Sequence, residues 1–222
     1  MSGFEDNVRR YLEGGNGSEG RTPNGRYTSF DYCFNYFQEF REKNDLRTMA
    51  TPQNIQVSCL HLGFYLASWG MLRGSSKLLQ RSARHLVGIV ETIAATDRGM
   101  WDIDADSYSE PNIQLLFGQA RDLQRANAGM SDILVTKIML GVFGNVPAFD
   151  TNFKKGFGVR KFGLKSLRKV GAFYLENRDA VEKYRLPTLD FVTGGPTQRR
   201  YTRAKVIDMA FFVKGMPRKG AA

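Results

Sequence analysis

The stretch GMSDILVTKIMLGVFGNVPAFDTNFKKGF, residues 129–157, decides how the chain is read. It holds a tight turn at Gly129, a helix that Ser131 or Asp132 can start and that should end near Gly144, and a loop containing Gly144 and Pro147. A carboxylate, Asp150, follows four apolar neighbours, Val146, Pro147, Ala148 and Phe149, and a basic segment comes next. That setting predicts a partly desolvated carboxylate at the start of a helix beginning at Thr151, where Asp is also a preferred cap. Capping and chemistry are compatible roles for it.

Helical patterning recurs on both sides of this stretch. A short N-terminal helix is followed by a Gly-, Asn- and Ser-rich loop over residues 14–28, so residues 1–28 read as a partly flexible segment. Phe30, Phe34, Phe37 and Phe40 share one helical face, and Ser29 could cap that helix. The next segment, NIQVSCLHLGFYLASWGMLRGSSKLLQ, is apolar around much of its circumference until Gly70 or Gly74, which predicts a buried central helix. Further helices are expected over residues 77–95 and 111–126. Beyond the basic segment they are expected over about 164–184 and 200–214, with at most a short turn at 187–192 and a TGGPTQ turn at 193–198. Strand-like alternation is nowhere sustained, and the expectation is an all-α protein, one compact domain over 1–222 that could comprise two interlocked lobes. Asp102, Asp104 and Asp106 alternate as in a calcium loop, but the later Gly and Glu are missing, so they read as solvated loop acids.

Charge is distributed unevenly. Residues 1–150 hold 15 Lys/Arg against 17 Asp/Glu, whereas residues 151–222 hold 17 against 5, so the whole +10 excess sits in the last third. Such asymmetry points to a polyanion, nucleic acid before lipid. Two cysteines and two histidines, scattered along the chain, are too few for a zinc or iron–sulfur site, and no metal or cofactor is expected. No apolar signal core or membrane-length run is present, which predicts a cytoplasmic protein.

The order of features over residues 129–157 resembles the core of the helix-hairpin-helix DNA base-excision glycosylases, and VPAFDTNF, residues 146–153, looks like the motif that carries their catalytic aspartate. The resemblance implies a two-lobed helical glycosylase fold, double-stranded DNA as partner, a base rotated into a pocket, and Asp150 as the catalytic carboxylate. A carboxylate there would stabilise the positive charge that builds on the sugar or orient the attacking water. The hairpin amides near Gly129 and Ser131 would hold a phosphate, although only one of the family's two hairpin glycines is present. Members that also cleave the backbone carry a lysine at the helix start, where this chain has Ser131 to Leu134. Lys137, a turn further on, reads as a DNA-facing or snorkelling lysine, so the expectation is a monofunctional, hydrolytic enzyme acting as a monomer. The runner-up is a DNA-binding protein that keeps the fold without the chemistry.

Tyr65, Ser68, Trp69 and Arg73 are the base-pocket candidates that the resemblance offers, each of which could equally be structural. Lys154, Lys155, Arg160, Lys161, Lys165, Arg168 and Lys169 follow Asp150 and would track the DNA backbone, with Phe153, Phe157 and Phe162 read as core. A second basic group, Arg199, Arg200, Arg203 and Lys205, opens the last helix and could hold the same backbone further along. Restriction of phage DNA with modified bases is one setting for such an enzyme, by analogy with defence systems.

Overall fold

Ten α-helices and one two-stranded antiparallel hairpin make up the regular structure of the described residues, 2–15, 19–72 and 77–217 of a computed structural model. The protein is mostly helical. Helix α1 spans Ser2–Glu13, α2 Ser29–Glu42, α3 Ile55–Ser68, α4 Val87–Ala94 and α5 Glu110–Ala126. They are followed by α6 (Asp132–Phe143), α7 (Thr151–Phe157), α8 (Leu164–Glu176) and α9 (Arg178–Lys183). Strands β1 (Pro187–Leu189) and β2 (Pro196–Arg200) then lead into α10 (Arg203–Gly215).

Two helices form the centre. Every residue of α6 from Leu134 to Phe143 is buried, as is α10 from Ala204 to Val213. A helix that is covered all round must be wrapped by others. Helices α2 and α3 pack on α6, while α1 and α7 pack along α10. Phe30, Phe34 and Phe37 face the core as their spacing predicts, with Phe40 half-buried. Helices α7 and α10 approach to backbone contact. A Cβ on Gly156 would lie 2.0 Å from the Phe211 carbonyl oxygen, and one on Gly215 would lie 1.9 Å from that of Asn152. Only glycine permits this approach, which places the N-terminus of α7, and therefore Asp150, against α10.

Several local expectations are corrected. Residues 187–200 form a hairpin pairing Pro187 with Arg200 and Leu189 with Pro196, so Arg199 and Arg200 lie on a strand and do not open the last helix. Pro187 and Pro196 disfavour helix, and strands of three and five residues are too short to sustain visible alternation. The helix expected over 77–95 is broken: short 3₁₀ turns at Lys77–Gln80 and Ala83–Leu86 precede α4, with Ser82 extended between them. The helix expected over 164–184 divides at Asn177, whose side-chain amide donates to the Phe173 carbonyl at 2.9 Å. Ser29 does not cap α2, because the 3₁₀ turn Arg26–Thr28 runs directly into that helix and Ser29 is its first residue.

The three loop aspartates are not simply solvated. Asp104 is buried and accepts from the backbone N–H groups of Arg203 at 2.7 Å and Ala204 at 2.9 Å, tying the start of α10 to the loop. Asp106 pairs with Arg203, and Asp102 with Arg41. Among the described residues no helix is long and apolar enough to cross a membrane.

Candidate active site

Asp150 is placed by local and distant contacts together. Ser131 caps α6, its hydroxyl accepting from the Leu134 N–H at 3.3 Å, and Gly144 ends that helix in the left-handed conformation at φ +68°. The loop from Gly144 to Asp150 is then pinned from outside. Thr202 donates to the Gly144 carbonyl at 2.7 Å, and Tyr108 to that of Asn145 at 2.6 Å. Ala148 N–H donates to Asp208 and Phe149 N–H to the Thr136 hydroxyl, each at 3.0 Å. A loop held at this many points gives its last residue a fixed orientation.

The Asp150 carboxylate is used on both sides. Oδ1 accepts from the Phe153 N–H at 2.9 Å, capping α7, and Oδ2 accepts from the Lys137 ammonium at 3.1 Å. Lys137 is therefore not a surface lysine facing DNA. Its side chain is 4% exposed and that of Asp150 is 14% exposed, so the pair lies at the inner end of a crevice. Tyr65, Trp69, Lys205 and Asp208 line the same crevice, which as it stands has no space for a water molecule.

Trp69 lies at the centre of this cluster. It is buried, and its indole N–H has no hydrogen-bond partner among the described residues. Three cations face its ring: the Lys137 ammonium at 5.3 Å from the centroid, that of Lys205 at 5.2 Å, and the guanidinium of exposed Arg26 at 5.2 Å. Tyr27 lies nearly parallel to the ring at 5.6 Å and Tyr11 stacks on Tyr27 at 4.2 Å.

The other pocket candidates divide. Tyr65 is wholly buried, donates to the Lys137 carbonyl at 3.0 Å, and lies so close under Gly141 that a Cβ there would be 2.3 Å from its ring. It supports the crevice wall. The Ser68 hydroxyl turns back to the Phe64 carbonyl at 2.9 Å and does not line the crevice. Arg73 lies outside the described residues.

Lys205 and Asp208 are the components that the sequence reading misplaced or missed. Lys205, expected to hold the DNA backbone, is 1% exposed and donates to the Tyr11 hydroxyl at 3.0 Å. Its ammonium is 3.7 Å from Asp208. An acid three residues after a base within the apolar run of residues 204–213 was the available signal. Burial pushes the Asp208 carboxyl up to about 6, against the opposing pull of Lys205. Burial likewise pushes Lys205 down to about 8, with Asp208 opposing it.

These directions make a pH prediction. Asp208 binds its proton more tightly folded than unfolded, so the stability this contributes is lost as pH rises through about 6 and regained as pH falls. Asp208→Asn keeps an acceptor for the Ala148 N–H but removes the titration. Relative to wild type, its stability should fall by about 1–2 kcal/mol between pH 7 and pH 4.5. Urea unfolding at both pH values measures this, and a difference that does not change with pH would refute the assignment.

The basic residues separate into paired and unpaired sets. Arg168 pairs with Glu110, Arg199 with Glu42, and Arg203 with Asp104, Asp106 and Glu182, while Lys169 donates to the carbonyls of Phe157 and Gly158. Arg200 is exposed and donates to the Arg185 carbonyl at 3.1 Å. Lys155, Arg160, Lys161 and Lys165 are exposed and Lys154 half-buried, and among the described residues none of these five side-chain cations has a hydrogen-bond or ion-pair partner. All five follow directly on Asp150. Gly129, exposed at φ +87°, and Ser131 border an open cavity of about 540 Å³ that Arg81 and His85 also line. Arg81 did not enter the sequence reading.

Phe153 and Phe157 are core residues, and Phe162 packs half-buried against the core, its ring meeting Phe149 at 5.3 Å and Phe117 at 5.1 Å. Among the described residues no group of three or more His, Cys, Asp or Glu side chains could hold a metal ion. No family model, curated protein or solved structure matches this chain.

Proposed function

We propose that this chain is a monofunctional DNA glycosylase that hydrolyses the N-glycosidic bond of a damaged or modified base flipped out of duplex DNA. One observation carries the reading: a carboxylate at a helix N-terminus, Asp150, is ion-paired to buried Lys137 in front of the buried, cation-lined ring of Trp69. Buried charges gathered around one aromatic ring are costly to a fold, and such clusters concentrate at functional sites. The glycosidic bond is out of reach of a protein carboxylate while the base is stacked, so the base must leave the helix.

In this reading Asp150 faces the sugar and stabilises the positive charge that develops as the bond breaks, or orients the water. Trp69 offers the flipped base a stacking face, and Arg26 and Tyr27 must part to admit it. Lys137 holds Asp150 in orientation. An ammonium committed to an ion pair is not a nucleophile, which favours hydrolysis over lyase chemistry. Lys154, Lys155, Arg160, Lys161 and Lys165 carry the DNA backbone beside the site. Removal of modified bases from phage DNA is the setting in which we place the activity.

The test is incubation of wild type and Asp150→Asn with a panel of modified-base duplexes and phage DNAs, followed by alkali. Wild type should leave abasic breaks on at least one substrate, and the variant, which keeps the cap acceptor and is assayed at a temperature where circular dichroism shows it folded, should be slower by about 100-fold or more. Equal numbers of breaks on every substrate would remove Asp150 from the chemistry.

A second reading has its own support. Both Asp150 oxygens are already occupied and the crevice is closed, as suits a DNA-binding protein that has kept the architecture without catalysis. It predicts duplex binding that survives Asp150→Asn, with no base released by wild type from any member of the panel.

A further inference from the structure

Helix α3 is uncharged around its whole circumference, yet the fold covers only one side of it. Its 14 residues contain no Asp, Glu, Lys or Arg, in a chain that is 24% charged. Cys59, Leu62, Tyr65, Leu66 and, just past the helix end, Trp69 are buried, and Tyr65 and Trp69 line the crevice. On the opposite side Val57 is 43% exposed, Leu60 51% and Phe64 70%, with Ala67 exposed beyond them. A helix this apolar is ordinarily buried on all sides. The spacing 57, 60, 64, 67 alternates three and four residues, the stripe through which one helix packs along another. Among the described residues the other α-helices with exposed large apolar side chains have one each, Leu115 on α5 and Leu175 on α8, as any protein surface does.

A groove runs beside the stripe. It is a cavity of about 270 Å³ whose walls include Leu60, Phe64, Ala67, Leu72, Leu78 and Leu86. That is below the roughly 300–1,000 Å³ of a small-molecule site but suits one aromatic side chain. Phe64 is thus both a wall of the groove and the most exposed side chain of the stripe. A knob and a hole on one face are self-complementary, because about a two-fold axis the Phe64 of each copy can enter the groove of the other. Charge selects the same partner. A surface meets itself across a two-fold only where it carries little like charge. Among the described residues the one permanently charged side chain lining the groove is Arg81, which is exposed and stays in water at the rim.

We infer that α3 is a homodimer interface, in which two copies of this chain pack through Val57, Leu60 and Phe64 about a two-fold axis and each Phe64 seats in the groove of the other copy. Leu79, exposed next to Leu78, extends the face toward the roughly 800 Å² per partner that a stable interface needs. The crevice lies behind the opposite side of α3, so the pairing leaves it uncovered. The inference is independent of the DNA reading.

Sedimentation velocity of the full chain tests it. Wild type at about 50 μM should sediment as a dimer, with twice the 25.1 kDa of one chain. Phe64→Ser and Leu60→Ser, at exposed positions, should keep the wild-type circular dichroism and be monomeric at that concentration, with dimer affinity lowered by about 100-fold or more. Leu175→Ser, which removes a comparably exposed side chain from α8, should remain dimeric. Each copy carries a net charge of +10, so raising NaCl from about 0.05 to 0.5 M should tighten the dimer by screening their repulsion. An assembly bridged by nucleic acid would instead fall apart. A dimer that persists in both Phe64→Ser and Leu60→Ser, or that dissociates as salt rises, would overturn the pairing. Wild type that stays monomeric at about 50 μM would also overturn it and give the face to a different protein.

Discussion

Lys137→Met is expected to cost about 3 kcal/mol of folding stability, because it leaves the Asp150 carboxylate in its crevice without a cation. The ion pair joins α6 to the cap of α7, and methionine preserves the volume of the lysine stem while removing only the charge. Asp150→Asn should be costly for the complementary reason, since it strands the Lys137 ammonium, although the amide oxygen can still cap α7. The double variant Lys137→Met/Asp150→Asn should be more stable than the sum of the single losses predicts, by about 2 kcal/mol. Urea unfolding of the four proteins measures this coupling. Additivity within about 0.5 kcal/mol would show that the two groups do not interact. On the glycosylase reading proposed above, the same Lys137→Met protein should lose rate with little change in duplex affinity, because Lys137 lies beneath the surface and pairs with Asp150.

Gly156→Ala should have the larger structural effect. The added methyl would need the space occupied by the Phe211 carbonyl oxygen 2.0 Å away, and that oxygen is backbone, so α7 and α10 must separate. Overpacking of this kind costs about 3 kcal/mol or more, and here it also moves the loop that carries Asp150 away from Asp208. The expected result is a protein that is insoluble or melts many degrees lower. Gly118→Ala, on α5, where a Cβ would meet nothing within 4 Å, is the control and should be neutral or slightly stabilising. A Gly156→Ala protein with the wild-type melting temperature would mean that the two helices do not pack as closely as described.

Much of the machinery is local and was legible in the sequence. Ser131 as a cap, the end of α6 at Gly144 and Asp150 at the head of α7 all depend on groups a few residues apart, and the structure has each of them. Tyr65 and Trp69, both taken from residues 64–76 as what the resemblance implies, line one crevice with Asp150, whereas Ser68 from the same segment does not. Lys137 was selected too, but for the surface, and is found in the interior. Its charge suggested solvent, whereas the carboxylate that makes burial tolerable comes from 13 residues along, across a loop.

Lys205 and Asp208 show the same limitation more strongly. In sequence they belong to a basic group and an apolar helix. In the fold they pair with each other beneath Trp69, alongside Tyr11. The hairpin at 187–200 escaped for a different reason, because strands this short leave no periodic trace and their pairing is a contact between segments.

The helical class, the caps and breaks around residues 129–157, the carboxylate at the head of α7 and the concentration of positive charge after it can all be read from the amino-acid sequence. Those properties follow from side chains acting on their own backbone or from composition. Only the tertiary structure decided which lysines are buried partners and which are free for a polyanion. The fold also brings three cations around Trp69 from three separate elements. Whether a charge is buried depends on whether a compensating group reaches it: Asp150 ahead of α7 is met by Lys137 of α6, and Lys205 of α10 by Asp208 and by the Tyr11 hydroxyl of α1, elements that meet only when the chain has folded.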